Sequence, residues 1–144
     1  MQRFRITYAK THSLRYTGNL DIHKIWERTI RRAGLALAYS QGFHPQPRLH
    51  QASPLPLGMI SRCEMVDLWL TDESPILSPE QIQQALSEKA PAGLELQIAE
   101  AIALDAPALQ TQIAAAEYNV TFLDLIDLSA LQDSVKTILA QSTL

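Results

Sequence analysis

Tyr39, Gln41, Phe43, His44 and Arg48 fall within ten residues of one another. Two aromatic faces, a carboxamide, an imidazole and a guanidinium are the groups that hold single-stranded RNA. They do so by stacking, base-edge hydrogen bonds and phosphate contact. The structural alternative is that Tyr39 and Phe43 fill a core while the neighbouring prolines stiffen a turn. The same stretch could do acid/base work, with His44 moving the proton and Arg48 holding a phosphate; His12 with Arg15 is a second such pair. An extended four-residue step spans roughly 13 Å, so His44 and Arg48 meet only if the chain folds back at Pro45–Pro47. His44 and His50 lack the tight, flanked spacing of metal-ligating histidines, and no metal site is expected. The one cysteine, Cys63, allows no intramolecular disulfide, no CxxC zinc site and no three-cysteine cluster. It follows Arg62, but a lone cysteine beside a strand reads as a small buried hydrophobe. Glycine-rich phosphate loops, HExxH and GxSxG are absent from the sequence. No nucleotide cofactor, and no cofactor of any other kind, is expected.

Charge separates along the chain. Residues 1–62 carry ten Lys/Arg against Asp21 and Glu27, whereas residues 63–144 carry Lys89 and Lys136 against thirteen carboxylates. All four histidines also fall in the first part, and eight of its ten basic residues are Arg, the side chain suited to forked phosphate contact. Such asymmetry suggests a polyanion-binding surface. The plainer readings are that the two parts pair with each other, or that each simply solvates its own surface.

The elements that must position these groups follow from periodicity. Phe4, Ile6 and Tyr8 alternate with Arg3, Arg5 and Thr7, a half-buried strand whose outer face, if open, carries two arginines. Lys10 to Gly18 reads as a polar loop holding Arg15. A helix then starts at an Asn19 cap with Asp21 in its first turn. Ile22, Ile25, Trp26, Ile30 and Ala33 share one arc, and Lys24, Arg28, Arg31 and Arg32 share the opposite one. Gly34 ends the helix. Four prolines and two glycines punctuate residues 39–58, so an ordered, extended, hairpin-like arm is expected, free to pair as a strand. Residues 64–71 form a strand, Ser78-Pro79-Glu80-Gln81 opens a helix with a capping box, and Leu94, Leu96 and Ile98 mark another strand.

This order is the split βαβ arrangement of a ferredoxin-like α+β domain, expected over residues 1–104. Residues 105–144 read as a short helix at 108–116, a strand at 118–123 and a helix from Ser129. A lone strand and helix cannot bury their apolar faces, so this extension either docks on the first domain or begins an incomplete second ferredoxin-like copy.

With 144 residues, 47% hydrophobic and 19% charged, the chain has the composition of an ordinary globular domain. No apolar run approaches the roughly 18 residues of a membrane span, and the N-terminus has no apolar signal region. A cytoplasmic setting is expected.

Several motifs carry a family resemblance. Trp26-Glu27-Arg28 with Arg31-Arg32-Ala33-Gly34, then Ala38-Tyr39-Ser40-Gln41-Gly42-Phe43-His44-Pro45 with Pro47-Arg48, then Ala52-Ser53-Pro54-Leu55-Pro56-Leu57-Gly58 resemble the radical SAM-linked protein family, the DUF2344 domain. Leu20-Asp21, Leu109-Gln110 and Ala116-Glu117-Tyr118 fit as well. The resemblance spans most of residues 2–125. It implies an accessory role beside a radical SAM protein, with RNA modification as one setting, and it supplies no catalytic residues.

The leading expectation is a non-catalytic module that binds RNA or presents a substrate. Its surface would comprise Arg15, Lys24, Arg28, Arg31, Arg32, Tyr39, Gln41, Phe43, His44 and Arg48. The alternatives are a metal-independent RNA-processing enzyme using a histidine, and a protein-docking domain for the radical SAM partner.

Overall fold

In β1 (Gln2–Lys10), Phe4, Ile6 and Tyr8 turn one way and are buried. They meet Ile22, Trp26 and Ile30 of α1 (Asn19–Arg32) and Ile82 and Leu86 of α2 (Pro79–Ser87) in a single core. The sheet is completed by β2 (Leu49–Gln51), β3 (Ser61–Leu70) and β4 (Leu94–Ile102). Its order is β2-β3-β1-β4, every neighbouring pair is antiparallel, and both helices pack on one face. The register sets Phe4 opposite Leu68, Ile6 opposite Val66 and Leu49 opposite Leu68, which lines up one apolar face across three strands. This is a broadly ferredoxin-like α+β fold. The computed structural model describes residues 1–53 and 55–141. Pro54 of the proline-rich stretch and residues 142–144 lie outside the described residues.

The chain divides into two compact units, residues 1–114 and 115–144, so the expected break at residue 104 falls ten residues ahead of the boundary. After β4 the chain crosses the second face of the sheet. Leu109, in a 3₁₀ turn at Leu109–Gln112, is its buried apolar anchor. This turn replaces the helix expected at 108–116. Beneath the segment, the Arg3 and Arg5 face of β1 is not open. Arg3 is 3% exposed and Asp67, opposite Arg5 on β3, is fully buried.

Lys10 is the last residue of β1, not part of a loop, and is 1% exposed. Its ammonium donates to the Thr17 carbonyl at 2.8 Å, and burial lowers its pKa while nearby Glu64 opposes that shift. Cys63 is exposed, not buried. It shares the second face of β3 with Asp67 and Trp69 but sits four residues from Asp67, near the strand end, where no layer covers it.

The proline-rich stretch does not project as a separate arm. Its two limbs are tied to each other and to the sheet. Ala38 N–H donates to Trp69 O at 2.8 Å, Arg48 N–H to Ala38 O at 2.7 Å and Ser40 N–H to Gln46 O at 2.8 Å, with a bridge between Tyr39 and Pro47.

The second unit, taken by itself, holds α3 (Leu128–Leu139), capped by Asp127, whose carboxylate accepts from the backbone N–H of Ser129 and Ala130. The strand expected at Tyr118–Leu123 is not formed, and a second ferredoxin-like copy is not found among the described residues. Alternating apolar residues permit a strand, but only a paired neighbour satisfies its backbone.

Gly93, just before β4, is required for two reasons. Its φ is +94°, and a Cβ there would lie 2.9 Å from both the Leu14 backbone nitrogen and Leu14 Cγ. Gly93→Ala is therefore expected to destabilise the fold by upwards of roughly 1 kcal/mol, read from its denaturant midpoint. An unchanged midpoint would mean that the turn reshapes without cost.

Candidate functional site

The basic side of α1 is set by its wheel. Ile22, Trp26, Thr29 and Ile30 are buried, which leaves Lys24, Arg28, Arg31 and Arg32 exposed on the outside. None of these four joins an ion pair among the described residues. Pairing with residues 63–144 therefore does not consume this stripe. The helix is capped at Gly18, whose N–H donates to the Asp21 carboxylate at 3.3 Å, so Asn19 is the first helical residue and not the cap.

The hairpin that follows leans on this helix. The Tyr39 hydroxyl donates to Glu27 at 3.2 Å, and burial, then the Glu27 carboxylate, raises the pKa of the phenol. Glu27, Arg31, Leu35, Ala36, Leu37, Tyr39 and Glu73 line a cleft of about 260 Å³ between helix and hairpin. At the tip, Gly42 takes φ +131° and Gln41, Phe43 and His44 are exposed. Phe43 is 102% exposed, so none of its ring packs on the protein. The core-filling reading of Phe43 is thus wrong, and Tyr39 is half-exposed as well.

Arg48 does not join α1. Its guanidinium lies 4.8 Å from the centre of the Trp69 ring, on the sheet face away from both helices. The Arg3 guanidinium lies 4.8 Å from the same ring, and the His50 ring is centred 4.8 Å from it. The Arg48 guanidinium is thus engaged by Trp69, while His44 is exposed at the hairpin tip. Arg15 is exposed and donates from Nε to the Gly58 carbonyl at 2.9 Å, stitching two loops together.

Residues 3–144 match the family described as "Uncharacterized protein conserved in bacteria (DUF2344)". The chain belongs to the DUF2344 family. No curated protein matches it.

In this DUF2344 chain, the site residues that sequence reasoning missed lie where β2 meets the start of α1. Asn19, His23, Leu49, His50, Gln51 and Gln110 line a second cleft of about 260 Å³. His23 and His50 stand far apart in sequence, and no local period links them. The one signal in the sequence was Asn19 and His23 at helical i, i+4 spacing. Burial first, and then Arg48, lowers the pKa of His50, against a smaller opposing pull from Asp67. Among the described residues of this DUF2344 chain, no group of three or more His, Cys, Asp or Glu is placed to hold a metal ion. No helix among them is long and apolar enough to cross a membrane.

Proposed function

We propose that this chain binds single-stranded RNA through the outer side of α1 and the Phe43 hairpin, as an accessory module and not a catalyst. The observation that carries this reading is Phe43, wholly exposed at the tip of a hairpin whose base is closed by backbone hydrogen bonds and tied to α1 through Tyr39 and Glu27. Exposing an aromatic ring on an ordered loop sacrifices the burial that would stabilise the fold, and a ring so presented offers a face on which a base stacks. The unpaired Lys24, Arg28, Arg31 and Arg32 supply the phosphate contacts beside it. Gln41 and His44 offer base-edge hydrogen bonds at the same tip. The family resemblance supports a setting beside a radical SAM enzyme in the cytoplasm, with that partner performing the chemistry.

Titrating a labelled oligoribonucleotide of mixed sequence at several salt concentrations tests this. Phe43→Ala is expected to weaken binding by the ~1–3 kcal/mol of one base–aromatic stack, with the salt dependence retained. Arg28→Ala with Arg31→Ala is expected to reduce the slope of log K against log salt by roughly 0.7 for each phosphate no longer neutralised. Absence of binding at low salt, or variants that bind like the parent, would refute the RNA reading and favour a protein partner docking on Phe43.

A further inference from the structure

We propose that the cleft between the start of α1 and the edge strand β2 is a nucleobase pocket, which takes one unpaired base of the strand that α1 holds by its phosphates. This inference rests on the RNA reading above and adds a site to it. Five of the six lining residues carry polar side chains, the carboxamides of Asn19, Gln51 and Gln110 and the imidazoles of His23 and His50, although apolar atoms make up more of the lining surface than polar ones. Leu49 is the sixth, and among the described residues no lysine, arginine or carboxylate lines the cleft. A pocket built for phosphate would be expected to use cations. Carboxamides present a donor and an acceptor side by side, the pattern of a base edge.

The imidazoles add stacking faces and directed hydrogen bonds. His50 is set against Trp69 with ring centres 4.8 Å apart and planes tilted by 60°, so its ring rests on the second face of the sheet while the residue borders the cleft. Burial, then Arg48, lowers its pKa, with Arg3 and His23 acting the same way and Asp67 opposing them. The lowered pKa favours the neutral imidazole, which carries one donor, one acceptor and a flat face. Gln110 Nε2 donates to the Gln51 carbonyl at 2.8 Å, which anchors one wall to β2.

The position of the cleft favours the same strand as the hairpin. Asn19, His23, Glu27 and Arg31 follow one another at four-residue steps, a single row along α1. The first two line this cleft and the last two line the cleft beside Tyr39. At 1.5 Å per residue the row is roughly 18 Å long, enough for several nucleotides to run between Phe43 and the pocket. A volume of about 260 Å³ is below that of pockets for drug-sized ligands and suits one base.

The test follows the His23 and His50 ring resonances by NMR during titration with a short oligoribonucleotide, and with the same oligomer made abasic. The expected result is that the intact oligomer shifts both rings and the abasic one shifts neither. His23→Ala with Asn19→Ala, two substitutions on the surface of α1, should weaken binding roughly tenfold with the salt slope unchanged. Ring shifts equal for both oligomers would assign the cleft to phosphate and overturn the base pocket. Rings that stay still while the oligomer binds, together with parental affinity in the double variant, would overturn the pocket and leave RNA binding by α1 standing. No binding of either oligomer would refute both readings.

Discussion

Asp67→Ala is expected to destabilise the protein by roughly 3–5 kcal/mol, the cost of leaving buried charge without its partner. Asp67 is fully buried and accepts four hydrogen bonds from two arginines. Arg5 grips it with Nε at 2.8 Å and a terminal nitrogen at 3.0 Å, while Arg3 reaches it with Nε at 3.2 Å and a terminal nitrogen at 2.6 Å. Hydrogen bonding to Asp67 raises the pKa of Arg5; burial opposes the rise, and the charges of Asp67 and Glu100 add to it. An arginine guanidinium keeps its charge at any pH at which the protein folds. Without Asp67, Arg3 would be left charged, almost wholly buried, and without its counter-charge. Arg3 also donates to the carbonyls of Ala103, Ala106 and Pro107, so it holds the segment that covers the sheet. The loss should appear twice: as a lower denaturant midpoint and as faster proteolysis within residues 103–112. Arg5→Met is expected to cost less, because Asp67 keeps Arg3. A midpoint within about 1 kcal/mol of the parent in Asp67→Ala would mean that water replaces the carboxylate and that the cluster does not hold the segment.

This cluster marks the limit of what could be read from the sequence. Phe4, Ile6 and Tyr8 were legible as a core row because a strand's period of two is local. Ser78 and Gln81 were legible as a capping box, and the reciprocal bonds are present at 3.3 and 2.9 Å. The basic stripe of α1 was legible because the helical period places it opposite Ile22, Trp26 and Ile30. The buried Arg3 and half-buried Arg5 were not legible as a cluster, because their partner lies more than sixty residues away on β3. The place of Arg48 over Trp69 was not legible for the same reason: register, not local pattern, puts it there. The cleft of His23 and His50 is likewise assembled by the pairing of β2 with β3. Tyr118–Leu123 failed in the opposite sense. Its alternation was real, but a strand is a property of two segments, and only one of them was read.

Trp26→Ala is expected to destabilise the fold by roughly 3–5 kcal/mol, as large aromatic truncations in cores do. Trp26 is 0% exposed, at the middle of the buried side of α1, and meets Tyr8 edge-on with ring centres 5.0 Å apart and planes at 76°. It is the largest wholly buried side chain of the described residues, so the cavity left by truncation would be correspondingly large. Burial raises the pKa of the Tyr8 phenol, against a smaller lowering from its contact with the Trp26 indole. One feature makes the site more informative than a plain cavity measurement. The indole Nε1 is buried and makes no hydrogen bond of ordinary geometry, the Tyr8 hydroxyl being close enough only for a weak one. A poorly paired donor there costs up to about 1–3 kcal/mol, and Trp26→Phe removes that cost while leaving a smaller void than alanine does. The two effects oppose each other, so Trp26→Phe is expected within about 1.5 kcal/mol of the parent. Urea midpoints of the two variants, measured side by side, check both statements. If Trp26→Ala leaves the midpoint unchanged, the residue is not part of the core. If Trp26→Phe is as costly as Trp26→Ala, the indole N–H has a partner, and the loss comes from that bond.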